Sequence, residues 1–234
     1  MIVGVTVPLA GSVCRERICG TDAARERIIL PDHTPIPHWT AAVAFAAALH
    51  GDDLRKGTRI PYLTHVMAVA EVLAYRYPDR DELILAGILH DVVEDTDASF
   101  GTRVAQLVRA VSKDDDAMIA AEGRPIPPEP RTPEDEADLW RRRRTFMLQH
   151  LHGDAVDPDV LRLKAADASV NLSAVPRDLR DPAVGPGLWT RFKVGADASL
   201  WFYQAIVDAV VAGIGDEPFA RDLSEMLASV RATS

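Results

Sequence analysis

Cysteine is almost absent: Cys14 and Cys19 are the only two in 234 residues. Without neighbouring ligands they complete no zinc site, and so few cannot form a disulfide framework, so they read as free thiols in a reducing compartment. Long apolar runs are missing too, and no stretch approaches the roughly 20 residues that a spanning helix needs. The apolar opening from Met1 to Ala10 is short, lacks a basic start and contains Pro8, which argues against a signal peptide. A cytoplasmic protein with no membrane partner is expected. Basic residues are outnumbered, 26 Lys and Arg against 35 Asp and Glu, for a net charge of -9. That balance excludes general affinity for nucleic acid and leaves room only for a local phosphate site. Aromatics make up 6% of a chain that is 47% hydrophobic, so the interior must be built from Ala, Leu and Val, a helix-friendly mixture. There are no repeats, no Rossmann or Walker glycine pattern, and no convincing strand beyond the first 37 residues.

What is present is helical periodicity. Residues 1–37 carry a charged patch and Pro31, Pro35 and Pro37, and read as an N-terminal arm with a short hairpin as one candidate structure. From Trp39 the apolar spacing of Ala42, Phe45, Ala46 and Leu49 predicts a first amphipathic helix. A second opens at Tyr62, and a central one covers Leu83 to Asp95 with one side in the core. A fourth runs from about Thr102 to Ser112. Residues 114–138, with five prolines and many acids, break the pattern and read as a mobile flap or a disordered insertion. Further helices are expected from about Glu134, over Pro158 to Val175, over Trp189 to Val211 as one long helix or a broken pair, and over Glu217 to Arg231. The class is all-α, with residues 38–234 forming one helical bundle.

The central stretch ends in four ionisable side chains. His90 and Asp91 suit one Mn, Fe or Zn ion. Glu94 and Asp95 lie one helical turn beyond them. Two groups to hold a cation and two to move protons beside it is the layout of metal-assisted hydrolysis. The plain alternative is an acidic helix end in water. The basic loop containing Arg55, Lys56 and Arg59 around Gly57 has the donors to hold phosphate, although surface loops are commonly charged for solvation alone. Asp167 sits among small apolar residues and needs a partner if buried. Asn171 and Lys164 share its helix face. His65, His90, Asp91 and Asp167 together offer two imidazoles and two carboxylates from three helices, a set able to hold a catalytic divalent ion.

With these residues in hand, the chain resembles the His-Asp (HD) superfamily of phosphohydrolases, and more narrowly the hydrolase domain of RelA/SpoT-type proteins and the small alarmone hydrolases. The resemblance runs from about Trp39 to Val211. It rests on Arg55-Lys56-Gly57 followed by Pro61-Tyr62-x-x-His65, on His90-Asp91-x-x-Glu94-Asp95-Thr96, on Phe100-Gly101 and on Ala166-Asp167-x-x-x-Asn171. It implies manganese-dependent removal of pyrophosphate from the 3′ position of guanosine tetra- or pentaphosphate. His65, His90, Asp91 and Asp167 would then be metal ligands, and Glu94 and Asp95 would serve the attacking water and the leaving group. Arg55, Lys56, Lys164 and Asn171 would hold the nucleotide. Tyr203 is a candidate to stack on base or ribose, with a core role as its alternative. Where the family usually carries basic residues this chain has Ala168 and Ser173, which thins the nucleotide contacts. Two other readings therefore stand beside the first: a phosphatase acting on NADPH or another nucleotide, and a nucleotide-binding regulator without turnover.

Overall fold

In a computed structural model of the chain, residues 37–92, 100–153, 155–182, 184–191 and 194–233 are described. The expected arm lies outside them, apart from its last residue. Among the described residues there are nine α-helices: α1 (Trp39–His50), α2 (Leu63–Arg76), α3 (Asp81–Leu89), α4 (Thr102–Val111), α5 (Asp115–Glu122), α6 (Pro133–Gln149), α7 (Pro158–Arg180), α8 (Gly195–Ile214) and α9 (Pro218–Thr233). No strand occurs among these residues, and a single bridge between Leu54 and Pro61 closes the basic loop. The all-α expectation is met.

Local sequence accounts for the helix starts. Thr132 and Asp135 form a reciprocal capping box ahead of α6, with Pro133 at the first helical position. At α7, Asp157 is the N-cap, its carboxylate accepting from the Asp159 N–H, and Pro158 takes the first helical position. In α4 the buried residues Val104, Leu107, Val108 and Val111 recur at helical spacing and face the core.

α3 is the hub. Leu83 to Leu89 are all buried, so this helix is enclosed on every side rather than on the one expected. It runs back along α2 after a short turn, and Gly87 permits the approach. A Cβ there would lie 2.8 Å from Leu73 Cδ1 and 3.2 Å from Ala70 Cα, both in α2. Close antiparallel packing brings the start of α2 beside the end of α3. The long α7 packs across α2, α8 and α9 and supplies the third wall.

Three further expectations are corrected. The central helix stops at Leu89, with His90 as its cap and Asp91 in the following turn. Segment 114–138 is not free of regular structure: α5 occupies Asp115–Glu122 and α6 begins at Pro133. The reason is Arg142, a buried side chain that donates to Glu122 Oε2 and to the carbonyl oxygens of Arg124 and Pro125, so the proline loop has its polar groups satisfied from α6. α7 continues through Pro176 to Arg180, where a connection was expected, because Ala174 and Val175 remain buried and Leu179 still packs on the core. Of the two forms expected for Trp189–Val211, the broken pair is the one found, a 3₁₀ turn at Trp189–Arg191 and then α8 from Gly195.

Candidate active site

His65, in the first turn of α2, and His90, the cap of α3, have ring centroids 5.3 Å apart because Gly87 lets their helices close. Asp91 follows directly. His90 Nε2 lies 3.1 Å from Asp91 Oδ2, and His65 Nε2 lies 3.8 Å from the same oxygen. From α7, Asp167 Oδ1 reaches within 3.4 Å of His65 Nε2 and 3.9 Å of His90 Nε2. Four side chains drawn from positions 65 to 167 of the chain therefore meet at one point.

Their hydrogen bonding shows what that point is suited to. His90 Nδ1 donates to the Gly87 carbonyl oxygen at 2.9 Å. A carbonyl only accepts, so in the neutral ring Nε2 is left with its lone pair. That Nε2 is buried, points at the carboxylates and makes no hydrogen bond. A buried polar atom without a partner calls for a missing one, and an imidazole with Nδ1 tied to a backbone carbonyl is the usual arrangement of a metal-bound histidine. His65, His90 and Asp91 place one ligand atom each within 4.8 Å of one another, a trio that fits a divalent ion. Asp167 lies beside the trio with both oxygens held, Oδ2 by Lys164 Nζ at 2.8 Å and Oδ1 by Asn171 Nδ2 at 2.7 Å.

Electrostatics follow from this crowding. Burial pushes the His90 imidazole down, but the Asp91 and Asp167 carboxylates outweigh it and raise its pKa to about 9, so a cation held at Nε2 would take the place of a proton there. Burial would lift both carboxyls; His90 overrides it at Asp91 and Lys164 overrides it at Asp167, so each stays well below the ordinary carboxylate range. Tyr62, at the turn before α2, donates its hydroxyl to Asp91 Oδ2, and burial followed by the Asp91 charge keeps that phenol protonated.

These four side chains floor a cavity of about 330 Å³. Lys164, Asn171 and Tyr203 line it. Arg55 does not reach the wall, and its Nη2 instead donates to Asn171 Oδ1 at 3.3 Å. Lys56 is exposed and is not part of the lining. Glu94 and Asp95 lie outside the described residues. Sequence reasoning missed Lys113, Trp140 and Phe202, which line the cavity together with Arg144. Arg144 is one of four consecutive arginines with four different fates. Arg141 lies over Trp201, Arg142 ties the proline loop, Arg143 pairs with Asp115, and Arg144 alone faces the cavity, its guanidinium 4.5 Å from the Phe202 ring centre. Burial holds Arg144 below its usual pKa, and burial with the nearby Arg144 and Arg143 does the same to Lys113. Position alone, not residue type, separates these four, and only a helix register known to a fraction of a turn could have told them apart.

A helical bundle with histidines and carboxylates gathered at the meeting of three helices defines a class: an α-helical protein with a candidate metal centre at the floor of a cationic cavity. The HD domain family matches residues 42–182, more than half of the chain, and the chain belongs to that family. Among curated relatives, a probable guanosine-3′,5′-bis(diphosphate) 3′-pyrophosphohydrolase of Synechocystis is 43% identical over 91 residues, 35% of this chain and 12% of its own length. The Drosophila melanogaster enzyme of that activity, MESH1, is 38% identical over 89 residues, 34% of this chain and 50% of its own. The bifunctional (p)ppGpp synthase/hydrolase SpoT of Escherichia coli is 34% identical over 119 residues, 48% of this chain and 14% of its own. The aligned segments thus span half of these relatives or less. A solved structure described as a metazoan ortholog of SpoT that hydrolyzes ppGpp superposes with a TM-score of 0.58 at 24% identity, covering 84% of this chain and 97% of that one, and shows the shared fold.

Proposed function

We propose that this chain is a metal-dependent phosphohydrolase that removes pyrophosphate from the 3′ side of a guanosine bis(diphosphate). The observation that carries the reading is the buried, unpartnered Nε2 of His90, converging with His65 and Asp91 at the floor of a cavity whose walls bear Lys113, Arg144 and Lys164. His65, His90, Asp91 and Asp167 are the residues to hold the ion, with manganese the choice. When bound, such an ion supplies polarisation of a phosphoryl oxygen and a water acidified toward neutrality. The chain's own part is positional. Lys164 and Asn171 hold the Asp167 carboxylate in place, and Tyr62 does so for Asp91. Lys113 and Arg144 offer charge to the polyphosphate in an otherwise acidic protein, where such contacts favour the more highly charged transition state. Glu94 and Asp95 remain the proton-transfer groups on the sequence pattern, and Tyr203 the candidate to stack on base or ribose. The activities that the relatives are named for support the same reaction.

A second reading, release of orthophosphate from NADPH or a similar nucleotide, is favoured by one feature. Ala168 is buried, and the Ser173 hydroxyl donates to the Val170 carbonyl, so neither contributes a charge to a guanine nucleotide. Incubation of the manganese-loaded protein with guanosine 3′,5′-bis(diphosphate) and with NADPH, followed by identification of the leaving group, separates the two. Pyrophosphate from the first supports our proposal, and orthophosphate from the second alone replaces it. Asp91→Ala and His90→Ala are expected to abolish turnover with melting retained, and normal turnover in both removes this site from consideration.

A further inference from the structure

Behind the catalytic cavity lies a second one, of about 610 Å³, between α4, α5, the end of α6 and the turn leading into α7. Its volume falls in the range of small-molecule sites, and such sites combine an apolar lining with a few convergent polar groups. Here the apolar part includes Phe146, Met147 and Val156. The polar part has a defined hydrogen-bonding sense. His150 Nδ1 lies 2.8 Å from the Phe146 carbonyl oxygen, and His152 Nδ1 lies 2.7 Å from that of Leu148. Both rings must donate there, which leaves each Nε2 as an acceptor in the neutral form. His150 also packs edge-on against Phe146 with centroids 4.6 Å apart, making an aromatic wall.

Arg109 is the lone cation among the lining residues, beside two carboxylates that are both engaged elsewhere. The carboxylate of Asp157 is spent on Arg103 and on capping α7, and that of Asp114 caps α5. Arg109, on the exposed side of α4, has no ion pair among the described residues. An occupant that fits these features is planar, donates a ring N–H to one of the two imidazoles and presents an anion to Arg109.

The two cavities share a wall. Ser112 and Met147 line both. The Ser112 hydroxyl donates to the Val108 carbonyl at 2.7 Å and reaches the His90 carbonyl at 3.4 Å, and its neighbour Lys113 faces the catalytic side. Packed walls of this kind transmit displacement instead of absorbing it. We propose that the second cavity is an effector site for a small planar heteroaromatic anion, acting on the catalytic cavity through Ser112 and Met147.

The test uses indole-3-carboxylate as probe and the full chain, followed by amide chemical shifts in two-dimensional NMR. Saturable shifts centred on Ala117, Phe146 and Gly153 are expected. Arg109→Gln and the replacement of the probe by neutral indole should each weaken binding at least tenfold. Ala110→Trp, which fills the cavity, should abolish it; should that variant fail to fold, the exposed Arg109→Gln carries the test. Shifts centred on the catalytic cavity, or an affinity that Arg109→Gln leaves unchanged, overturn the site. The coupling rests on the hydrolase reading: saturating probe should change the rate of nucleotide hydrolysis at least twofold in the wild type and not in Ala110→Trp. Binding without a rate change overturns the coupling. A protein that hydrolyses no nucleotide at all refutes the proposed function instead, while the NMR arm still decides the site and the Lys113 amide shift decides the coupling.

Discussion

The Tyr62 hydroxyl donates to Asp91 Oδ2 across the candidate metal centre, while its ring packs 5.3 Å from that of His65. One side chain thus orients a carboxylate and an imidazole of the same trio. Partners of metal ligands typically contribute 10- to 100-fold in affinity. Tyr62→Phe should therefore weaken manganese binding about tenfold, read by titration calorimetry, with the melting temperature close to wild type.

Gly87 sets the distance between α2 and α3. Gly87→Ala should destabilise the fold by about 1–3 kcal/mol through overpacking. Because His65 and His90 sit at the ends of those two helices, it should weaken manganese binding as well. Denaturant melts and calorimetry measure the two effects separately.

Asp159, a buried carboxylate at the start of α7, receives Arg80, Arg103 and Arg162, which joins the α3 cap, α4 and α7. Removing one partner of a buried charge cluster leaves the others uncompensated. Asp159→Ala should cost about 3 kcal/mol in urea unfolding. Metal binding by the folded fraction should persist, since this cluster lies at the opposite end of α3 from His90.

Acid stability should depend on two exterior pairs. The Arg103 guanidinium holds Asp157, and the Arg143 guanidinium holds Asp115, each below the ordinary carboxylate pKa. A folded pKa below the unfolded one means that the folded state binds fewer protons, so this stabilisation is present above about pH 4 and is lost as pH falls below it. A plot of melting temperature between pH 7 and 3 should fall less steeply for Asp157→Asn and for Asp115→Asn than for the wild type.

Arg144 is the charge that faces the cavity from α6, stacked on Phe202. Under the hydrolase reading, Arg144→Leu should raise KM for guanosine 3′,5′-bis(diphosphate) about tenfold, in line with about 1.5 kcal/mol for a charge-assisted hydrogen bond. Arg141→Leu, whose parent side chain lies over Trp201 instead, should change KM little.

Much of the arrangement was legible in the residues themselves. Apolar spacing marked α1, α2, α4 and α9 to within a few positions, since a helix with one wet face must repeat near every fourth residue. It failed for α3, which is buried all round and has no wet face to mark its end. It failed again at α5 and beyond Pro176, where local breakers argued for loops and packing prevailed: Arg142 satisfies the proline segment, and Val175 and Leu179 keep α7 against the core.

The sequence by itself determined the chemistry on offer: which imidazoles, carboxylates and cations exist, and that their order matches an HD protein. Helical spacing also placed Lys164, Asp167 and Asn171 on one face, because neighbours on a helix are fixed by local geometry. Only the tertiary structure decided that His65 and His90 lie 5.3 Å apart between ring centres, that Arg144 and not Arg141 faces the cavity, and that Arg55 turns to Asn171. Such contacts depend on the separation and rotation of packed helices, set by small features such as the missing Cβ of Gly87, and no pattern confined to one segment encodes them.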